Sequence, residues 1–108
     1  MTDTRKKGKK WHIAVVMSIT SGVNFHPRGM SAIHEFLDDM TGETLFTSAL
    51  PMAARMVTPQ LLEQFPELPR RENLPILQEW SDICREISKM AKIYGEFVKV
   101  RPYQTKEL

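Results

Sequence analysis

The sequence is poor in the residues from which the simplest functional sites are built. Cys84 is its single cysteine, so an internal disulfide is excluded and a reducing, cytoplasmic compartment is expected. His12, His26 and His34 are its only histidines, and neither of the first two stands at ligand spacing from His34, so the paired-histidine zinc signature of a helix is missing. No Gly-x-x-x-x-Gly-Lys loop is available to cradle phosphates, and no helix-turn-helix, zinc-finger or RNA-recognition signature is present. The longest apolar run, Ile13–Met17, spans five residues, against the roughly 20 a membrane-crossing helix needs. The basic stretch before it does not continue into a secretory leader. These absences set the expectation of a non-enzymatic protein with no cofactor, no metal and no membrane partner.

What the sequence does contain is an ordinary globular composition, 42% hydrophobic and 26% charged over 108 residues, enough for the core of one domain. Seven methionines are a mild excess, and Met suits an adaptable core or an adaptable contact surface. The net charge of +2 is unevenly placed. Arg5, Lys6, Lys7, Lys9 and Lys10 face only Asp3 within the first ten residues, so the remaining body is slightly acidic. Residues 1–10 read as a disordered basic tail, 11–102 as a single globular domain and 103–108 as a C-terminal tail.

Helical signals dominate the body. Residues 11–20 carry strand-like β-branched side chains, yet Ile13, Val16, Met17 and Thr20 share one helical face and Ser21-Gly22 supplies a stop. Helix is the preferred of the two readings. A second helix is expected over 31–40, capped by Ser31, with Ile33, Phe36, Leu37 and Met40 inward and Gly42 as its left-handed end. Pro51 opens another helix through Met56, and Thr58-Pro59 reads as the cap and first turn of a separate short one ending before Pro66. The stripe Ile76, Leu77, Trp80, Ile83, Cys84, Ile87, Met90, Ala91 and Tyr94 predicts the last helix, closed by Gly95. Phe97–Val100, stopped by Pro102, reads as a short strand or extended arm. The fold class is therefore mainly α: a compact irregular bundle of about four or five helices, with room for one short strand pair near the termini.

Each candidate functional residue has a plain structural alternative. Arg5, Lys6, Lys7, Lys9 and Lys10 are able to bind phosphates electrostatically with Trp11 stacked on a base; the alternative is a solvated tail with Trp11 starting the core. His34, Glu35 and Asp38 share a helix and suggest an acid–base or metal site, but an exposed charged face explains them more simply. Cys84 and Trp80 lie on the apolar stripe and are assigned to the core rather than to nucleophilic or interface roles. Arg70 and Arg71, in a proline-bounded connection, and Phe97 and Lys99, on the expected strand, are the candidate partner-binding residues. That strand is equally able to pair internally or with a second copy, so a homodimer is one of the expected assemblies.

The sequence also resembles a family of small proteins encoded by bacteriophages and prophages. The resemblance runs through Val16-Met17-Ser18-Ile19-Thr20-Ser21-Gly22, Met40–Thr47 with Leu50-Pro51 and Ala53-Ala54-Arg55, Leu62–Pro66, and Tyr94-Gly95-Glu96 with Val100 and Pro102. The chain departs from the family pattern at Ser48-Ala49 and Met52, where His-Gln and Arg are usual. The resemblance implies an accessory protein that binds, and inhibits, a bacterial host or defence protein in the host cytoplasm. Nucleic-acid association through the lysine-rich tail is the alternative, and an enzyme built on His34, Glu35 and Asp38 ranks third.

Overall fold

The structure, a computed structural model, describes residues 9–25, 28–70, 72, 77 and 79–103. Among these the order is β1 (Lys9–His12), α1 (Ile13–Ser21), α2 (Met30–Thr41), a 3-10 turn (Thr47–Ala49), α3 (Leu50–Gln64), α4 (Trp80–Tyr94) and β2 (Phe97–Val100). The expected mainly helical fold with a strand pair near the termini is the observed one.

The ambiguous segment after the tail divides at one residue. β1 ends at His12, whose Nδ1 accepts the Ala14 N–H at 3.0 Å and so caps α1. Both sequence signals are genuine, but they belong to successive elements. The strand also claims Lys9 and Lys10, which composition alone places in the tail. All nine residues of α1 are buried, which makes it the central helix of the bundle. Its hydroxyls are satisfied locally: Ser18 and Ser21 donate to the carbonyls of Ala14 and Met17, each at 2.7 Å. Ser18 Oγ also accepts the Phe25 N–H at 2.9 Å, which seats Phe25 in the core.

Around α1, the apolar face of α2 supplies Ala32, Phe36, Leu37 and Met40, and α3 supplies Leu50, Ala53, Val57 and Leu61. Burial of each large side chain among them stabilises the fold by about 1.5–3 kcal/mol. α2 starts one residue earlier than its sequence suggests: Gly29, not Ser31, is the capping residue, at φ 60° and ψ −131°. A Cβ there would be strained and would meet Asn24 Nδ2 at 3.2 Å. Gly42 ends α2 in the left-handed region, φ 75°, as its position predicts.

Three expectations need correction. Thr58-Pro59 does not open a new helix, because α3 runs unbroken from Leu50 to Gln64 with Pro59 inside it. Thr58 Oγ1 turns back to the Ala54 carbonyl at 2.6 Å instead of capping forward, and the buried row Ala53, Val57, Leu61 holds the helix across the proline. The last helix starts at Trp80, with Leu77 outside it and a Glu79/Asp82 capping box at its head. Its core stripe is also narrower than its apolar residues imply. Met90 is buried and Ile83, Ile87, Ala91 and Tyr94 are half-buried, whereas Cys84 and Trp80 are exposed rather than core. Cys84 falls at the edge of the stripe, and Trp80 lies at the helix's first residue, past the end of the core.

The C-terminal segment is tied back to the helices. β2 pairs antiparallel with β1, Lys9 opposite Val100 and His12 opposite Phe97. Gln64, at the end of α3, accepts the Arg101 N–H at 2.8 Å and donates to its carbonyl at 3.3 Å. Tyr103, assigned to the tail from sequence, is half-buried and donates its N–H to the Met40 carbonyl at 3.0 Å.

Candidate functional site

A groove of about 840 Å³ lies between the C-terminal end of α1, the start of α2 and the first half of α3. Its chemistry follows from the residue types these elements place there. Ile19, Met30, Ile33, Leu50 and Pro51 give it apolar walls, and Ser18, Gly22 and Ala54 keep part of the lining small. Among the described residues Arg55 is the only ionisable side chain in the lining. Its guanidinium makes a long 3.5 Å bond to the Pro51 carbonyl and has no carboxylate partner among the described residues. Among the described residues no histidine, cysteine or carboxylate lines the groove.

Apolar side chains continue outside it. Met30 is 56% exposed and itself lines the groove, and Phe46, just before the lining residue Thr47, is 83% exposed. Met52 and Met56, one turn apart, are exposed on the stripe of α3 adjoining Arg55.

The loop beside the groove is held by residues that sequence reasoning assigns to a solvated face. His34 Nε2 lies 2.7 Å from the Leu45 carbonyl, so it carries the proton and donates. Asp38 Oδ1 accepts the Leu45 N–H at 2.9 Å and lies 3.6 Å from the same His34 nitrogen. Both side chains are one-third exposed, and together they satisfy both backbone groups of Leu45. Glu35 points elsewhere and pairs with Arg28 at 2.7 Å. Its carboxyl is held below the usual range, chiefly by that hydrogen bond and then by the Arg28 charge. The triad suggested by sequence is thus a loop clamp and a separate surface ion pair. Among the described residues no group of three potential metal ligands comes together.

The other candidates divide. Trp11 is buried and meets Phe36 edge to face at 5.1 Å, so it is core and not a base-stacking platform. Lys9 lies 5.0 Å above its ring, and Lys10 is exposed. Phe97 and Lys99 are exposed on β2, whose one edge is occupied by β1, and Arg70 is exposed after the turn that follows α3. Arg5, Lys6, Lys7, His26 and Arg71 lie outside the described residues. No helix among the described residues is long and apolar enough to cross a membrane. Sequence reasoning misses the groove altogether. Its one available signal is the methionine excess, which divides between the core (Met17, Met40, Met90) and exposed positions (Met30, Met52, Met56).

These features define a small, mainly helical protein with a largely apolar groove between α1, α2 and α3. The chain belongs to the family described as a domain of unknown function, DUF7736, which it matches over residues 11–71. Every residue lining the groove falls within that span, whereas α4 and β2 lie beyond it. No curated protein and no solved structure matches the chain.

Proposed function

We propose that this DUF7736 chain is a non-enzymatic binding protein that receives an amphipathic helix of a partner protein in the α1–α2–α3 groove. The observation that carries the proposal is the largely apolar groove with a cation, Arg55, that has no carboxylate partner among the described residues, continued by exposed Met30, Met52 and Met56. A helix laid into such a groove buries apolar anchors at i, i+3, i+4 and i+7. An acidic residue on its flank meets Arg55, which fixes orientation more than it adds affinity. Methionine walls favour this use because they repack around side chains of different shape.

The resemblance to phage and prophage proteins supplies the biological side of the proposal. The chain is a phage- or prophage-encoded accessory protein, and its partner is a bacterial host or defence protein that it inhibits by occupying a helix. Affinity capture from nuclease-treated bacterial lysate tests this. The wild-type chain is expected to retain a defined protein that Met30→Glu and Arg55→Glu variants lose. Both positions are exposed, so the variants keep the fold. Equal capture by all three chains, or none by the wild type, rejects the proposal.

A further inference from the structure

The outer face of the two-stranded sheet shares no residue with the groove and has its own chemistry. Lys10 stands opposite Lys99, and His12 opposite Phe97. Along an antiparallel ladder, hydrogen-bonded and non-hydrogen-bonded pairs alternate. The Ile13 N–H donates to the Glu96 carbonyl at 2.8 Å, which fixes the phase. Lys10–Lys99 and His12–Phe97 are therefore non-hydrogen-bonded pairs, whose side chains approach most closely, with Cβ atoms about 4.5–5.5 Å apart. His12 and Phe97 show it directly, their rings meeting edge to face at 5.3 Å.

Alternation along the strands turns Trp11, Val98 and Val100 into the core and leaves Lys10, Phe97 and Lys99 exposed. Like charges directly opposite one another destabilise a sheet. Neither lysine has a carboxylate partner among the described residues. An anion between them removes the repulsion. Beside them Phe97 is 57% exposed, a ring held upright by His12 with nothing in the core to account for it. Glu96, 3.6 Å from His12 Nε2, places negative charge at the far end of the face, so the anion path runs at the lysine end.

We infer that this face binds single-stranded nucleic acid, with a phosphate between Lys10 and Lys99 and a base stacked on Phe97. A positively charged track combined with an exposed aromatic ring is the arrangement that single strands use. An acidic peptide would satisfy the lysines but would leave the ring unused. Trp11, the aromatic residue that the sequence offers first, plays no part.

The test is fluorescence polarisation of a labelled oligothymidylate of about 12 nucleotides with the full chain, titrated with salt from about 50 to 200 mM. Binding is expected to fall linearly on a log–log plot of affinity against salt. Lys99→Glu is expected to weaken it roughly tenfold or more and to reduce the slope by about 0.7 for each phosphate that is no longer neutralised. Phe97→Ala is expected to weaken it roughly tenfold with the slope unchanged, and Phe97→Trp to retain it. Circular dichroism checks that each variant keeps the wild-type fold. No binding at the lowest salt overturns the inference. So does wild-type binding by both Lys99→Glu and Phe97→Ala, which would assign the affinity to the tail alone. Polyglutamate binding that is lost in Lys99→Glu but kept in Phe97→Ala, at the oligonucleotide's affinity or better, would make this an acidic-peptide site and overturn it equally.

Discussion

At the scale of single residues, Trp11 separates the roles that sequence and structure give it. Its ring is enclosed against Phe36, while its buried indole N–H finds no acceptor among the described residues. Trp11→Phe removes an unpaired donor together with part of the ring, and thermal unfolding should show a smaller loss than Trp11→Ala. Trp11→Ala leaves a cavity and should cost about 3–5 kcal/mol. Equal, small effects of both would mean that the ring is not core. Glu35 offers a test against pH. Its carboxyl is lowered in the folded chain by Arg28, so the ion pair's contribution is complete above the ordinary value of 4.5 and is lost as pH falls through the depressed one. Carboxyl titration by NMR should show the Glu35 midpoint rising towards 4.5 in Arg28→Gln. A midpoint that stays put would remove Arg28 as the cause. Residue identity alone tells much about the glycine at 42 and the proline at 66, whose backbone demands are intrinsic. It cannot tell whether Trp80 or Cys84 is buried, because that depends on how far the core extends beneath α4.

At the scale of elements, periodicity is legible in the sequence, and what tertiary packing overrides is not. The stripe of α2 is readable because Phe36, Leu37 and Met40 lie inward at helical spacing. The continuity of α3 through Pro59 is not, since Thr-Pro is a strong local start signal and only burial of Val57 and Leu61 against neighbours defeats it. The strand-to-helix change at His12 is hidden for a different reason: β-branched residues satisfy both patterns, and the partner strand lies near the other end of the chain. The His34–Asp38 pair makes an element-level prediction. Asp38→Ala leaves the Leu45 N–H without its acceptor and should destabilise the fold by about 1–2 kcal/mol. It should also speed amide exchange at Leu45 and Phe46 while leaving α1 protected. Unchanged exchange there would show that the loop beside the groove is held by its own packing and not by α2.

At the scale of the whole molecule, the groove exists only when three helices meet, which is why no local pattern announces it. Ser18, Ile33 and Arg55 are far apart in sequence and share no motif, yet they line one concavity. Beside it Met30, Phe46, Met52 and Met56 are exposed. The match to DUF7736 contains the whole groove lining, and the sheet face depends on β2, outside that match. The most direct measurement is site-specific photo-crosslinking in bacterial cells, with the crosslinker placed in the full chain at Met30 or, as a control on α4, at exposed Lys89. A partner helix in the groove predicts one defined protein adduct from Met30 and none from Lys89. The same adducts from both positions, or none from Met30, would contradict it.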